Sequence, residues 1–211
     1  PDRVAGGVAR QRSERGSTMA DKSGEQIGIV GIGRMGLAMA KHLIKHGYRV
    51  IVCDLDRKQC DAARAAGAAV AATPAEVGKA VRFVIIGVGY DDEATAVMLG
   101  EHGLLETMDT GSIVAISSTC TPEHVKTLDE QARKKGVDVF DAPICRGARA
   151  ADDGTLLTLA GGKKEVFERA LPIYGTFSAD VVHLGDVGAG QFGKAMNNFL
   201  LWVNGVALIE A

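Results

Sequence analysis

From residue 26 onward the chain alternates between two hydrophobic periods. Short runs rich in β-branched residues fall at 26–31 (QIGIVG), 48–53 (YRVIVC), 68–71, 82–87 (RFVIIG), 112–116 (SIVAI), 137–141, 155–160 and 180–184, and each reads as a strand. Between them apolar residues recur every three to four positions, which predicts helices near 34–46, 56–66, 74–80, 91–99, 122–135 and 163–174. The junctions carry matching chemistry. Gly47, Gly67 and Gly136 stand where a helix ends on a left-handed residue, Thr73-Pro74 with Glu76 makes a capping box, and Thr121-Pro122 is a cap followed by proline in the first turn. Regular strand–helix alternation demands a mostly parallel sheet with helices on both faces, the doubly wound α/β class.

The two ends depart from this rhythm. The opening PDRVAGGVARQRSERGST has little apolar periodicity and a fresh start at Met19, so residues 1–24 are expected to be an extension or tag, and 25–186 the α/β domain. From 187 the pattern VGAGQFGKAMNNFLLWVNGVALIEA places Phe192, Met196, Phe199, Leu200, Val203 and Val206 at helical spacing, which predicts one long and largely buried helix over 187–211. No C-terminal cap follows, so the helix is expected to lead into further helical structure. Lys194, Asn197 and Asn198 interrupt its apolar surface within about 100° of arc, and an amine beside two amides is costly to bury without a polar partner or ligand.

Composition narrows the function. Twenty-four basic and twenty-six acidic residues leave a net charge of −2, without the electrostatic footprint of a nucleic-acid or anionic-membrane binder. No run approaches 18 apolar residues, so no membrane span is expected. Cys53, Cys60, Cys120 and Cys145 lack metal-ligand spacing and read as reduced thiols of a cytoplasmic protein, with no metal site expected. His42 and His46 enclose no glutamate and read as a solvated helix face.

The strongest chemical signal is Gly31-Ile32-Gly33-Arg34-Met35-Gly36, directly after an apolar strand and opening a helix. The first glycine allows a tight turn, the second lets the backbone approach a pyrophosphate, and the third permits close helix packing. Asp54 follows at the end of the next strand, where a carboxylate accepts hydrogen bonds from the adenosine ribose and repels an added phosphate. Strand, fingerprint, helix, strand and acid in register predict dinucleotide binding, with NAD preferred and NADP possible.

Four motifs in order, GIVGIGRMGLAMAKHL, SSTCTP at 117–122, DAPICRGARAADDGTLLTLAGG at 141–162 and GKAMNNFL at 193–200, resemble the β-hydroxyacid dehydrogenases, relatives of 6-phosphogluconate dehydrogenase. The resemblance implies a Rossmann-type domain, homo-oligomers, a second all-helical domain absent from this sequence, and hydride transfer between NAD(H) and a small anionic β-hydroxyacid or its semialdehyde. It makes Lys194 the general acid/base and Asn198 the group orienting substrate, and it sets Ser118, Thr119 and Val88 around cofactor and substrate. The family usually reads DAPVSGG, where backbone groups cradle the substrate carboxylate; here Cys145, Arg146 and Gly147 occupy that place. Arg146 is similar to the arginine of 3-sulfolactaldehyde reductase, so a sulfonate-bearing aldehyde is an alternative substrate, and the guanidinium is expected to grip the anionic head. A non-catalytic dinucleotide-binding scaffold is the other alternative; the presence of Lys194 counts against it.

Overall fold

The computed structural model describes residues 10–12 and 25–211. Ten strands form one sheet: β1 (Arg10–Arg12), β2 (Gln26–Val30), β3 (Arg49–Cys53), β4 (Ala69–Val70), β5 (Phe83–Ile86), β6 (Ile113–Ile116), β7 (Asp138–Asp141), β8 (Ile144–Cys145), β9 (Leu156–Gly161) and β10 (Ser178–Gly185). Their order is β1-β10-β9-β7-β6-β5-β2-β3-β4, with β8 paired to β9 off this path. The block from β4 to β7 is parallel throughout, β9 and β10 are parallel to each other, and antiparallel pairing joins β7 and β8 to β9 and β1 to β10. The chain runs outward from β2 in one direction to β3 and β4 and in the other to β5, β6 and β7. This reversal opens a crevice at the carboxyl ends of β2 and β5, the place where doubly wound sheets bind ligands.

Among the described residues seven α-helices lie between strands, α1 (Arg34–Lys45), α2 (Arg57–Ala65), α3 (Pro74–Ala80), α4 (Asp91–Leu99), α5 (Pro122–Arg133), α6 (Gly147–Asp153) and α7 (Lys164–Tyr174), and α8 (Ala189–Glu210) follows the last strand. The strand residues alternate between two cores. Ile27, Ile29, Phe83, Ile85, Ile113 and Ala115 face α1, α2 and α7, whereas Val30, Val84, Ile86, Val114 and Ile116 face α3, α4 and α5. Unbroken apolar strands, whose successive side chains enter opposite cores, are what a sheet covered twice requires. The expected caps are present: Thr73 Oγ1 accepts the Glu76 amide at 3.2 Å while Glu76 Oε2 accepts the Ala72 amide at 2.8 Å, and Thr121 Oγ1 accepts the His124 amide at 3.3 Å.

Three expectations require correction. Arg10–Arg12, assigned to an extension outside the fold, forms an antiparallel edge strand against Asp180–Val182; the rest of 1–24 apart from these residues lies outside the described residues. The long C-terminal helix exists as α8, but only Gly190 and Gln191 in it are buried, and Phe199, Trp202, Leu208 and Ile209 are exposed. Its apolar periodicity signals a face, and no described segment covers that face beyond its first turns. His42 does more than face solvent: it is partly exposed, and its Nε2 lies 3.0 Å from the carbonyls of both Ala151 and Asp152, so the imidazole docks α6 onto α1.

Candidate active site

The turn from β2 into α1 is built as its glycines foretell. Gly31 has φ +84°, and a Cβ there would stand 2.8 Å from the backbone carbon and oxygen of Gly87 after β5. Gly36 packs against the Gly31 carbonyl with no room for a side chain. Gly33, the N-cap of α1, is different: a Cβ would meet no atom within 4 Å, so the backbone at the positive end of this 12-residue helix is open to an incoming group. The first turn of α1 contains no acid. An open N-cap without competing negative charge suits a pyrophosphate, so the residues present fit a dinucleotide. Asp54 fastens the turn, accepting the Ile32 amide on Oδ2 at 2.7 Å and the Asp56 amide on Oδ1 at 2.8 Å. Arg34 pairs with Asp152 at 3.1 Å on the surface.

Beside this turn lies a cleft of about 310 Å³. Met35 comes from α1 and Val88 from the loop after β5, Ser118 and Thr119 come from the loop after β6, Gly147 from the start of α6, and Lys194 from α8. The fold thus brings together six of the residues that the sequence singled out. Lys194 Nζ donates to the Ile144 carbonyl at 2.7 Å and approaches Cys145 Sγ at 3.7 Å, leaving its third N–H for the cleft. Ser118 Oγ is buried and has no hydrogen-bond partner among the described residues, an unsatisfied group that a bound polar molecule would satisfy. Cys145 is buried behind Lys194 among Leu159 and Val182. Asn198 stands one turn beyond Lys194, half-buried, with its Oδ1 3.5 Å from Asn197 Nδ2, and it is not among the residues lining the cleft.

Arg146 is placed otherwise than expected. Its Nη2 donates to Asp180 Oδ2 at 2.6 Å and its Nη1 to the Thr155 carbonyl at 3.0 Å, so the guanidinium braces the segment before α6 against β9 and β10. It is not among the cleft-lining residues. It adopts φ +83°, a conformation that favours glycine, and Asp180, 34 residues away in sequence, is the partner that local reading did not supply.

Several residues of the site carry no local signature. Asp141, fully buried, accepts the Gly188 amide on Oδ1 and the Gln191 amide on Oδ2, both at 2.8 Å, and so caps α8 from a strand. Burial pushes its carboxyl above the usual range, opposed by these backbone amides. Ser117 Oγ and the Tyr174 hydroxyl share a buried hydrogen bond of 2.7 Å; burial pushes Tyr174 well up, so it remains a neutral phenol. Cys120 is pushed up to about 12 and Cys53 to about 11, burial being the main cause, which leaves neither a nucleophile at neutral pH. The cleft residues Met39, Gly87, Gly89 and Ile144 were not anticipated; apolar or glycine positions in a regular pattern give no sign of facing a ligand.

Residues 26–185 match the family model of the NAD binding domain of 6-phosphogluconate dehydrogenase. The chain belongs to this family. Within the family it is 36% identical over 194 residues to the mitochondrial 3-hydroxyisobutyrate dehydrogenase of Mus musculus, covering 92% of this chain and 57% of that one. It is 34% identical to the NAD-dependent L-serine dehydrogenase of Pseudomonas aeruginosa, covering 89% of this chain and 63% of that one. The structure of Mycobacterium tuberculosis 3-hydroxyisobutyrate dehydrogenase with L-serine superposes with a TM-score of 0.82 at 26% identity, covering 88% of this chain and 63% of the other. The chain therefore spans about three fifths of the length of these relatives. Among the described residues no helix is long and apolar enough to cross a membrane.

Proposed function

We propose that this chain carries the cofactor-binding and proton-transfer part of an NAD-dependent dehydrogenase that interconverts a small anionic β-hydroxyacid and its semialdehyde. The observation that carries this reading is the Lys194 amine on one cleft with Ser118, Thr119 and Val88, beside an α1 N-cap open for a pyrophosphate. Nicotinamide, when bound, supplies or accepts the hydride. Lys194 gives a proton to the carbonyl oxygen in reduction and takes it back in oxidation, while its bond to the Ile144 carbonyl aims the amine. The unsatisfied Ser118 hydroxyl holds a polar group of the substrate or the carboxamide. Asn198, one turn further along α8 and outside the cleft lining, would meet only a substrate that extends beyond the cleft. The relatives' names, a hydroxyisobutyrate and a serine dehydrogenase, agree with this substrate class. The alternative, a sulfonate-bearing aldehyde, would call on Arg146, whose guanidinium pairs with Asp180 in this structure. Four buried free thiols suit a reducing compartment such as the cytosol.

The test is Lys194→Ala in catalytically competent protein. Loss of a general acid should lower kcat by about 100- to 10,000-fold, with NAD affinity by fluorescence titration nearly intact. Turnover within a few-fold of wild type would remove the reading.

A further inference from the structure

The structure assigns a positioning role to Gln191: its side chain fixes the helix that carries Lys194 against the loop that carries Ser118 and Thr119. This rests on the reading of Lys194 as proton donor. Gln191 is 1% exposed, although it is a polar residue near the start of a helix whose later turns are open to solvent. Its Nε2 donates to the Ser118 carbonyl at 2.8 Å, its Oε1 accepts the Cys120 amide at 3.1 Å, and its own backbone amide donates to Asp141 Oδ2 at 2.8 Å. One residue thus joins the end of β7, the loop after β6 and the first turn of α8. Both halves of the amide meet backbone groups, so what Gln191 holds is the path of the loop. A buried apolar residue of similar size would fill the same space and leave the Ser118 carbonyl and the Cys120 amide without these partners.

Lys194 follows three residues later, which on an α-helix is about 4.5 Å along the axis and about 60° round it. Any slide or rotation of α8 against the loop therefore changes the distance from the amine to Ser118 and Thr119. The first turn has no slack: a Cβ on Gly190 would lie 2.6 Å from the Leu159 carbonyl oxygen and 2.8 Å from that of Asp141. Asp141 holds the helix end and Gln191 holds the loop, so the amine and the loop that faces it form one rigid unit.

Two variants test this. Gln191→Met keeps length and burial but removes both side-chain bonds, and Gln191→Glu keeps the shape while turning a carboxylate oxygen towards the Ser118 carbonyl. Amide hydrogen exchange on the 211-residue chain should accelerate in peptides covering 117–121 and 189–194, with the 31–43 segment unchanged. In catalytically competent protein, kcat should fall about 100-fold, as expected for an ångström-scale misplacement, while KM for NAD stays within about twofold. Unchanged exchange in the loop, or kcat within threefold of wild type, would overturn the proposal; so would a uniform loss of protection across the domain in the Glu variant, which would make Gln191 a general core residue. If Gln191→Met does not fold, Gln191→Glu alone decides. Lys194→Ala run in parallel separates the two claims. Loss of turnover there with normal Gln191 variants defeats the joint and spares the reaction, whereas full turnover there with loosened loops in the Gln191 variants defeats the reaction and leaves the joint standing.

Discussion

Asp141→Asn probes the contact that seats α8 on the sheet. The wild-type carboxylate uses one oxygen for the Gly188 amide and the other for the Gln191 amide, both at 2.8 Å and out of reach of water. Asparagine matches the shape, but its amide offers one acceptor; the NH₂ group then faces a backbone N–H that has lost its partner. Leaving one buried donor unpaired costs about 1–3 kcal/mol. For a domain of this size about 2 kcal/mol lowers Tm by about 4–8 °C, and Asp141→Ala, which strands both amides, should cost about twice as much. The pH dependence follows from the direction of the shift. Burial raises the folded-state pKa of Asp141 above the unfolded value near 3.9, so the proton binds the folded state more tightly. Its stabilising contribution is complete below the unfolded pKa and is lost as pH rises through the folded one. The Tm gap between wild type and Asp141→Asn, which cannot titrate, should therefore be widest near pH 4 and narrow towards pH 7. Thermal unfolding followed by circular dichroism across that range is the assay. A gap that widens as pH rises would show that the backbone amides outweigh burial, and a gap under 2 °C throughout would refute the capping argument.

Asp54→Asn should weaken the preference for NAD over NADP, read as the ratio of the two dissociation constants, because it removes the charge facing a 2′-phosphate; an unchanged ratio would dissociate Asp54 from cofactor choice. Arg146→Ala and Asp180→Asn should each lower Tm and show a coupling of about 1 kcal/mol in a double-mutant cycle. Arg146→Gly should be more stable than Arg146→Ala, since only glycine adopts φ +83° without strain. A tenfold rise in KM for an anionic substrate in Arg146→Ala, with Tm held, would instead return the arginine to substrate binding. The exposed apolar side of α8, with Phe199, Trp202, Leu208 and Ile209, should make the 211-residue chain self-associate; a clean monomer at high concentration in sedimentation would count against that.

The residues by themselves determined whatever depends on neighbours a few positions away. Unbroken apolar runs such as Phe83–Ile86 told which strands are covered on both faces, threonine and glycine at the junctions told where helices begin and end, and Gly31, Gly33 and Gly36 told of a dinucleotide turn, because each of these is set by local backbone sterics and local hydrogen bonds. Lys194 was legible because an amine on an apolar helix is costly without a reason. What only the tertiary structure decided are the partners. Arg146 meets Asp180 across 34 residues, His42 meets α6 across 109, and Gln191 meets Ser118 across 73. A periodic pattern encodes which face of an element is buried, but it is silent on which polar group from a distant strand arrives there. A short polar side chain finds its bond only once the sheet order has brought that group within about 3 Å.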